Sequence, residues 1–140
     1  MSDIILPRKM GILLDTNILM LIGRGIDIFT QIEELLDTKP EYYVIEPVVK
    51  ELEKIIAYGG VKERKAAKLA LELVKKKCRV IEVSLSPDKS VDDLLLEIAL
   101  RKGFIVATND RELRRRLREA GIPEIYFREE KQLLEAQGVY

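Results

Sequence analysis

The chain has 140 residues, of which 47% are hydrophobic and 34% charged, the size and mixture of one compact domain with its own core. Its 24 Lys and Arg balance its 24 Asp and Glu, so no global positive field advertises a polyanion partner, and any nucleic-acid contact needs a local basic patch. It contains no histidine and a single cysteine, which excludes Ser-His-Asp and Cys-His catalysis, imidazole bases, an intrachain disulfide and Cys/His zinc sites, leaving carboxylates to carry any hydrolytic chemistry.

The first element expected is a strand over Met10–Leu14, preceded by Ile4-Ile5-Leu6, an apolar run that Pro7 cuts off. That run is too short for a signal-peptide core, and no run approaches the roughly 20 apolar residues that cross a bilayer. A soluble, cytoplasmic protein with no membrane partner is therefore expected. Asp15 follows the strand directly, ahead of Thr16-Asn17, which aims a short acidic side chain out of the carboxyl edge of a sheet; an N-cap for the helical stretch Thr16–Gly23 is the competing explanation.

A helix over Asp27–Asp37 and a strand over Tyr42–Ile45 come next. The helix Pro47–Ala57 starts with proline at a favourable first position, and Val48, Val49, Leu52, Ile55 and Ile56 form its buried face, with Glu51 at the edge of that face. The helix Val61–Lys77 follows Gly59-Gly60 and carries Lys62, Arg64, Lys65 and Lys68, which either extend a nucleic-acid track or are simply exposed. Cys78 reads as structural, and Arg79–Val83 as the third strand.

In the helix Val91–Lys102 the apolar stripe of Val91, Leu94, Leu95 and Ile98 separates two adjacent acids. Asp93 points away from the stripe and completes a Ser90-x-x-Asp93 capping box, whereas Asp92 lies at the margin beside Ala99 and is the better ligand. The strand Phe104–Ala107 leads through Thr108-Asn109 to Asp110, which opens the helix Arg111–Ala120; the bland rival is a cap at Asn109 with Glu112 three residues on. Arg111, Arg114, Arg115, Arg116 and Arg118 crowd this helix and suit phosphate oxygens, against the alternative of a solvated face balanced by Glu112 and Glu119. A fifth strand, Ile125–Phe127, precedes a short C-terminal tail.

This alternation predicts one α/β domain over residues 1–140, with a core of about 10–128, built as a three-layer α/β/α sandwich around a five-stranded parallel sheet. Ligands in such sheets bind beyond the carboxyl ends of the strands, where the strand order reverses. Asp15, Glu51, Asp92 and Asp110 are the acids expected there, and an oxygen-only set of this kind suits Mg²⁺ or Mn²⁺. Thr16, Asn17 and Thr108 sit beside them with groups able to orient a carboxylate or a water.

Four motifs in this order resemble those of the PIN-domain ribonucleases: Ile12-Leu13-Leu14-Asp15-Thr16-Asn17, Val49-Lys50-Glu51-Leu52, Asp92 through Gly103, and Val106-Ala107-Thr108-Asn109-Asp110. The wording of several segments, including the Arg-rich run that ends in Gly121-Ile122-Pro123, looks closest to the archaeal and eukaryotic ribosome-biogenesis subgroup that processes small-subunit rRNA. The chain lacks the Cys and His for the zinc module that some of those proteins add. The resemblance implies a Mg²⁺- or Mn²⁺-dependent endoribonuclease whose metal is held by Asp15, Asp92 and Asp110. Glu51 would serve as a further ligand or orient the attacking water, Thr16, Asn17, Asp93, Thr108 and Glu112 would support these groups, and the five arginines would bind RNA.

The partners it implies are RNA, a second copy, and a ribosome-assembly factor or an antitoxin, since the toxin branch of the family has a similar acidic set. A non-catalytic scaffold that binds RNA or protein is a further alternative, although such scaffolds tend to lose acids and this chain keeps all four. A phosphoacceptor receiver would need an Asp after the third strand and a Lys after the fifth, where this chain has Ser84-Leu85-Ser86 and Arg128-Glu129. A dehalogenase-like phosphatase would show Asp-x-Asp where this chain has Asp15-Thr16-Asn17.

Overall fold

A computed structural model describes residues 9–83 and 86–139, so Ile4-Ile5-Leu6 and Ser84-Leu85 lie outside the described residues. The centre of the molecule is β1 (Gly11–Leu14), whose four residues are all buried. A strand covered on both faces reads as an unbroken apolar run, and Ile12, Leu13 and Leu14 are fully inaccessible to solvent. Each such side chain contributes about 1.5–3 kcal/mol of burial free energy.

β1 pairs in parallel with β2 (Glu41–Ile45) on one side and with β4 (Ile105–Ala107) on the other. β3 (Cys78–Ile81) extends the sheet beyond β2, and β5 (Glu124–Arg128) extends it beyond β4. The complete order is β3-β2-β1-β4-β5-β6, with β6 (Leu133–Gln137) antiparallel to β5. The chain leaves β1 towards one edge and returns to β4 to build the other, so the order reverses between β1 and β4.

The helical elements are α1 (Thr16–Leu19), continued by a 3₁₀ turn over Met20–Arg24, then α2 (Ile28–Leu36), α3 (Glu46–Tyr58), α4 (Val61–Lys77), α5 (Val91–Lys102) and α6 (Arg111–Glu119). α3 packs on α4 and on α1, α4 packs on the 3₁₀ turn, and α5 packs on α6. The fully buried Leu52, Leu95, Leu113 and Leu117 are the points at which α3, α5 and α6 enter the core. No helix among the described residues is long and apolar enough to cross a membrane.

The sheet differs from the sequence expectation at both edges. It has six strands rather than five and is not wholly parallel, because the supposed C-terminal tail contains β6. The turn before it is closed by Gln132, a non-glycine residue in the left-handed region at φ 53°, a conformation its sequence does not advertise. Leu134 is buried, its N–H donates to Gln31 Oε1 at 2.8 Å, and α2 covers the strand. At the other edge β3 runs over Cys78–Ile81 rather than the expected Arg79–Val83, with Arg79 and Val80 exposed. The single helix expected over Thr16–Gly23 is one turn of α-helix followed by the 3₁₀ turn. Burial pushes the Cys78 thiol up to about 12, consistent with a structural role.

Gly23 fixes how closely α4 approaches the 3₁₀ turn. A Cβ added there would lie 2.2 Å from Ala66 Cβ and 2.7 Å from Ala66 Cα, and the latter is backbone that no rotamer change can clear. Gly23→Ala is expected to cost about 1–3 kcal/mol, the usual penalty for overpacking, measured as a lowered urea midpoint with an unchanged slope.

Candidate active site

A pocket of about 250 Å³ lies at the reversal point, lined by Asp15, Thr16, Asn17, Glu51, Val91, Asp92 and Asp110. Four separate segments deliver its acids. Asp15 follows β1 and caps α1, and Asp110 follows the strand β4 and caps α6, accepting from Leu113 N–H at 2.8 Å. Asp92 lies in the first turn of α5, and Glu51 projects from the middle of α3. All four acids singled out in the sequence thus face one cavity, with Val91 as an apolar lining residue that sequence reasoning had assigned only to the core.

Asp15 is the most constrained of the four and is only 6% exposed. Its Oδ1 accepts from Thr16 N–H at 2.8 Å, and its Oδ2 accepts from the Thr108 hydroxyl at 2.7 Å and, more weakly, from Asn17 Nδ2 at 3.4 Å. The Thr108 oxygen also accepts the Asp110 N–H at 3.1 Å, so one buried hydroxyl ties two of the acidic segments together. The Thr16 hydroxyl donates to Glu51 Oε2 at 2.6 Å and anchors α3 to the same point.

A second chain of amides sets the loops. Asn17 Oδ1 accepts from Asn109 N–H at 3.0 Å, and Asn109 Oδ1 accepts from Phe127 N–H at 2.7 Å, linking the ends of β1, β4 and β5. A cap at Asn109 is the bland rival that the sequence offers. Asp110 takes that position instead, and Asn109 holds β5. The sequence signal for this was an amide at the end of a strand, where it can complete the hydrogen bonding of a neighbouring strand.

Burial raises the Asp15 carboxyl above its ordinary range, and Glu51 and Asp110 add to the rise, while the hydrogen bonds from Thr108 and Thr16 oppose it. Burial is also the main cause of the raised Asp92, followed by the charges of Asp110 and Asp15, with Arg116 acting the other way. The acids therefore feel one another across the pocket, and no basic side chain among the described residues lines it. Among the described residues no three acidic or thiol groups converge tightly enough to form a preassembled cage. The donor set still fits a hard divalent cation, because it offers carboxylate oxygens only and its mutual repulsion would be relieved by positive charge.

Several expected supporting and RNA-binding residues are engaged elsewhere. Asp93 completes the capping box with Ser90 and accepts from Arg116 at 2.8 Å, and it does not line the pocket. Glu112 is paired with Arg115, which Glu119 also holds, and it too lies outside the pocket lining. Arg114 donates to Glu124 at 2.7 Å with its guanidinium 3.7 Å from the centre of the Tyr126 ring, and Arg118 reaches the same carboxylate at 3.3 Å. Among the described residues Arg111 is the one arginine of α6 for which no ion pair forms. The anticipated basic patch is therefore largely consumed within the fold.

A family model described as a PIN like domain matches residues 12–130, a span that contains all four pocket acids. The chain is 34% identical over 120 residues to Ribonuclease VapC9 of Archaeoglobus fulgidus, covering 85% of this chain and 84% of that protein. It is 32% identical over 119 residues to Ribonuclease VapC4 of Methanocaldococcus jannaschii, covering 84% and 89%. Among solved structures, the PIN domain endonuclease Utp24 superposes with a TM-score of 0.73 at 25% identity, with 92% of each chain covered.

The Arg114–Glu124 pair separates structural from ligand-binding arginines. Glu124 is 1% exposed and its Oε2 has no partner among the described residues, so removing Arg114 leaves a buried carboxylate with the longer contact to Arg118. Arg114→Ala is expected to destabilise the protein by about 3 kcal/mol, whereas Arg111→Ala leaves the denaturation midpoint unchanged. Chemical denaturation of the two variants side by side checks this.

Proposed function

The chain belongs to the PIN-like domain family, and on that premise we propose that it is a divalent-metal-dependent endoribonuclease acting through Asp15, Glu51, Asp92 and Asp110. The observation that carries this reading is the convergence of these acids, from four separate segments, on one pocket that no basic side chain among the described residues lines. The sequence relatives are named ribonucleases and the structural neighbour a PIN domain endonuclease, which favours RNA as the substrate.

When bound, Mg²⁺ or Mn²⁺ would supply a water of lowered pKa and stabilise charge on the scissile phosphate. Asp15, Asp92 and Asp110 would hold the ion. The Thr108 hydroxyl keeps the Asp15 carboxylate in one orientation, so little rearrangement is needed at the moment of reaction. Thr16 engages Glu51 Oε2, which leaves Glu51 Oε1 to orient the attacking water and accept its proton. Arg111, at the start of α6 beside Asp110, would meet a phosphate oxygen.

The narrower role proposed is RNA processing in the cytoplasm. The sequence relatives are VapC ribonucleases and do not carry the ribosome-biogenesis placement, so a toxin role restrained by an antitoxin stands beside it. Growth arrest on induced expression, relieved by Asp15→Asn, would select the toxin role; unimpaired growth would select processing.

Asp15→Asn and Asp92→Asn are each expected to lower the rate of RNA cleavage by more than about 100-fold, since even outer partners of a metal site commonly cost 10–100-fold. Cleavage of end-labelled RNA with added Mn²⁺ measures this, and undiminished rates in both variants would sink the reading.

A second expectation concerns stability and pH. Asp15 and Asp92 are raised above the ordinary value of 3.8, so between that value and the raised ones the folded state binds more protons than the unfolded state. Their contribution to metal-free stability is present below 3.8 and falls as pH rises through the raised values. Asp27, Asp93 and Glu97 are shifted down and pull the whole-protein curve the other way, so the effect is read as the difference between wild type and Asp92→Asn. Asp92→Asn should be the more stable at pH 7 without metal. Mn²⁺ at about 100 times its dissociation constant should add about 2.7 kcal/mol to wild type and much less to the variant, measured by urea denaturation.

A further inference from the structure

We propose that Tyr58 is a stacking platform for a base of single-stranded RNA close to the scissile bond; the proposal rests on the endoribonuclease reading. Tyr58 is 84% exposed, more than any other large hydrophobic side chain among the described residues. It sits in the last turn of α3, seven residues after Glu51. At 3.6 residues per turn and 1.5 Å per residue, the two side chains leave the helix within about 20° of each other and about 10 Å apart along its axis. Glu51 is held at the pocket by Thr16, so Tyr58 continues the same stripe two turns further out.

The topology places that stripe beside the acids. α3 departs from the carboxyl end of β2, and α4 hands over to Cys78, which pairs with Tyr42 near the amino end of β2. The 17 residues of α4 span about 25 Å. The five residues of β2 span only about 16 Å. The turn at Gly59-Gly60 therefore stands beyond the carboxyl edge of the sheet, on the side where the acids lie, with the Glu63 side chain folded back against the two glycines.

Charge selects the occupant. From the start of α3 to residue 65 there are five basic side chains (Lys50, Lys54, Lys62, Arg64 and Lys65) against four acids (Glu46, Glu51, Glu53 and Glu63), and Glu46 is paired with Lys50. One of those acids belongs to the pocket, and Lys54, Lys62, Arg64 and Lys65 are all exposed. An exposed aromatic ring among cations is the usual platform for single-stranded nucleic acid, in which the base stacks and the backbone is neutralised. Val61, 64% exposed, and the exposed Ala57 are neighbouring apolar groups that would equally suit a protein contact, and the test separates the two.

The chain contains no tryptophan, so Tyr58→Trp installs a single reporter. In the Asp15→Asn protein, binding of a single-stranded oligoadenylate is expected to quench its emission, with the dissociation constant rising with salt. In the metal-loaded enzyme, Tyr58→Ala should raise KM for single-stranded RNA by roughly 5- to 100-fold, the range of one lost base stack, and change kcat by less than about 2-fold. Tyr58→Phe should keep the wild-type KM. An unchanged KM in Tyr58→Ala, when wild type cleaves RNA normally, overturns this proposal and leaves the endoribonuclease reading intact. A wild type that neither binds nor cleaves RNA overturns both. If Tyr58→Ala instead lowers the sedimentation coefficient from dimer to monomer with KM unmoved, the ring is a contact between copies and the stacking proposal fails.

Discussion

The Thr108 hydroxyl, buried between β1 and β4, donates to Asp15 Oδ2 while its oxygen accepts the Asp110 N–H, so the same group fixes the carboxyl ends of two neighbouring strands. That arrangement is possible only in the observed register, in which Leu14 lies opposite Ala107 and Asp15 N–H bonds Ala107 O at 3.0 Å. A slip of one residue would turn each apolar side chain of β1 to the opposite face and carry Asp15 away from Thr108. Because β1 is apolar on both faces, its pattern alone does not set the register; the hydrogen bonds of Asp15 with Ala107 and Thr108 do, and the register specifies the pocket.

Capping and pocket formation are competing explanations for Asp15 and Asp110 when the sequence is read alone, but the atoms divide the work. Asp110 caps α6 through Oδ1, and Asp15 caps α1 through Oδ1 while Oδ2 turns to Thr108. A helix N-terminus favours negative charge, so the caps offset part of the repulsion that brings these acids together at a cost. The remaining cost is carried by the apolar core, and it is visible in the raised Asp15 and Asp92.

Much of this was legible from residue types and spacing. The stripe through Val91, Leu94, Leu95 and Ile98 divided Asp92 from Asp93, and the structure puts the first at the pocket and the second in the capping box. The rule that ligands lie where strand order reverses brought Asp15 and Asp110 to one crevice before any coordinates. β6 was not legible, because Leu133–Gln137 lacks clean alternation and its turn depends on a left-handed Gln132. The fate of the arginines was not legible either. Glu124 reads as a polar residue ahead of a strand, yet it is buried and draws in both Arg114 and Arg118, a pairing set by tertiary contact between α6 and β5 rather than by helix spacing.

The spent arginines change the direction from which a polyanion meets the pocket. Four arginines of α6, Arg114, Arg115, Arg116 and Arg118, pair with Asp93, Glu112, Glu119 and Glu124, and these four acids cancel most of their field. An ion pair satisfied within the protein releases few counterions when a phosphate arrives, so such a surface adds little to affinity. The hairpin of α3 and α4 differs, since its Lys54, Lys62, Arg64 and Lys65 are exposed and Lys50–Glu46 is the ion pair formed along it. On the endoribonuclease and stacking proposals, RNA would enter along the hairpin wall, over Glu51, and α6 would contribute Arg111 alone while otherwise acting as the buttress that holds Asp110.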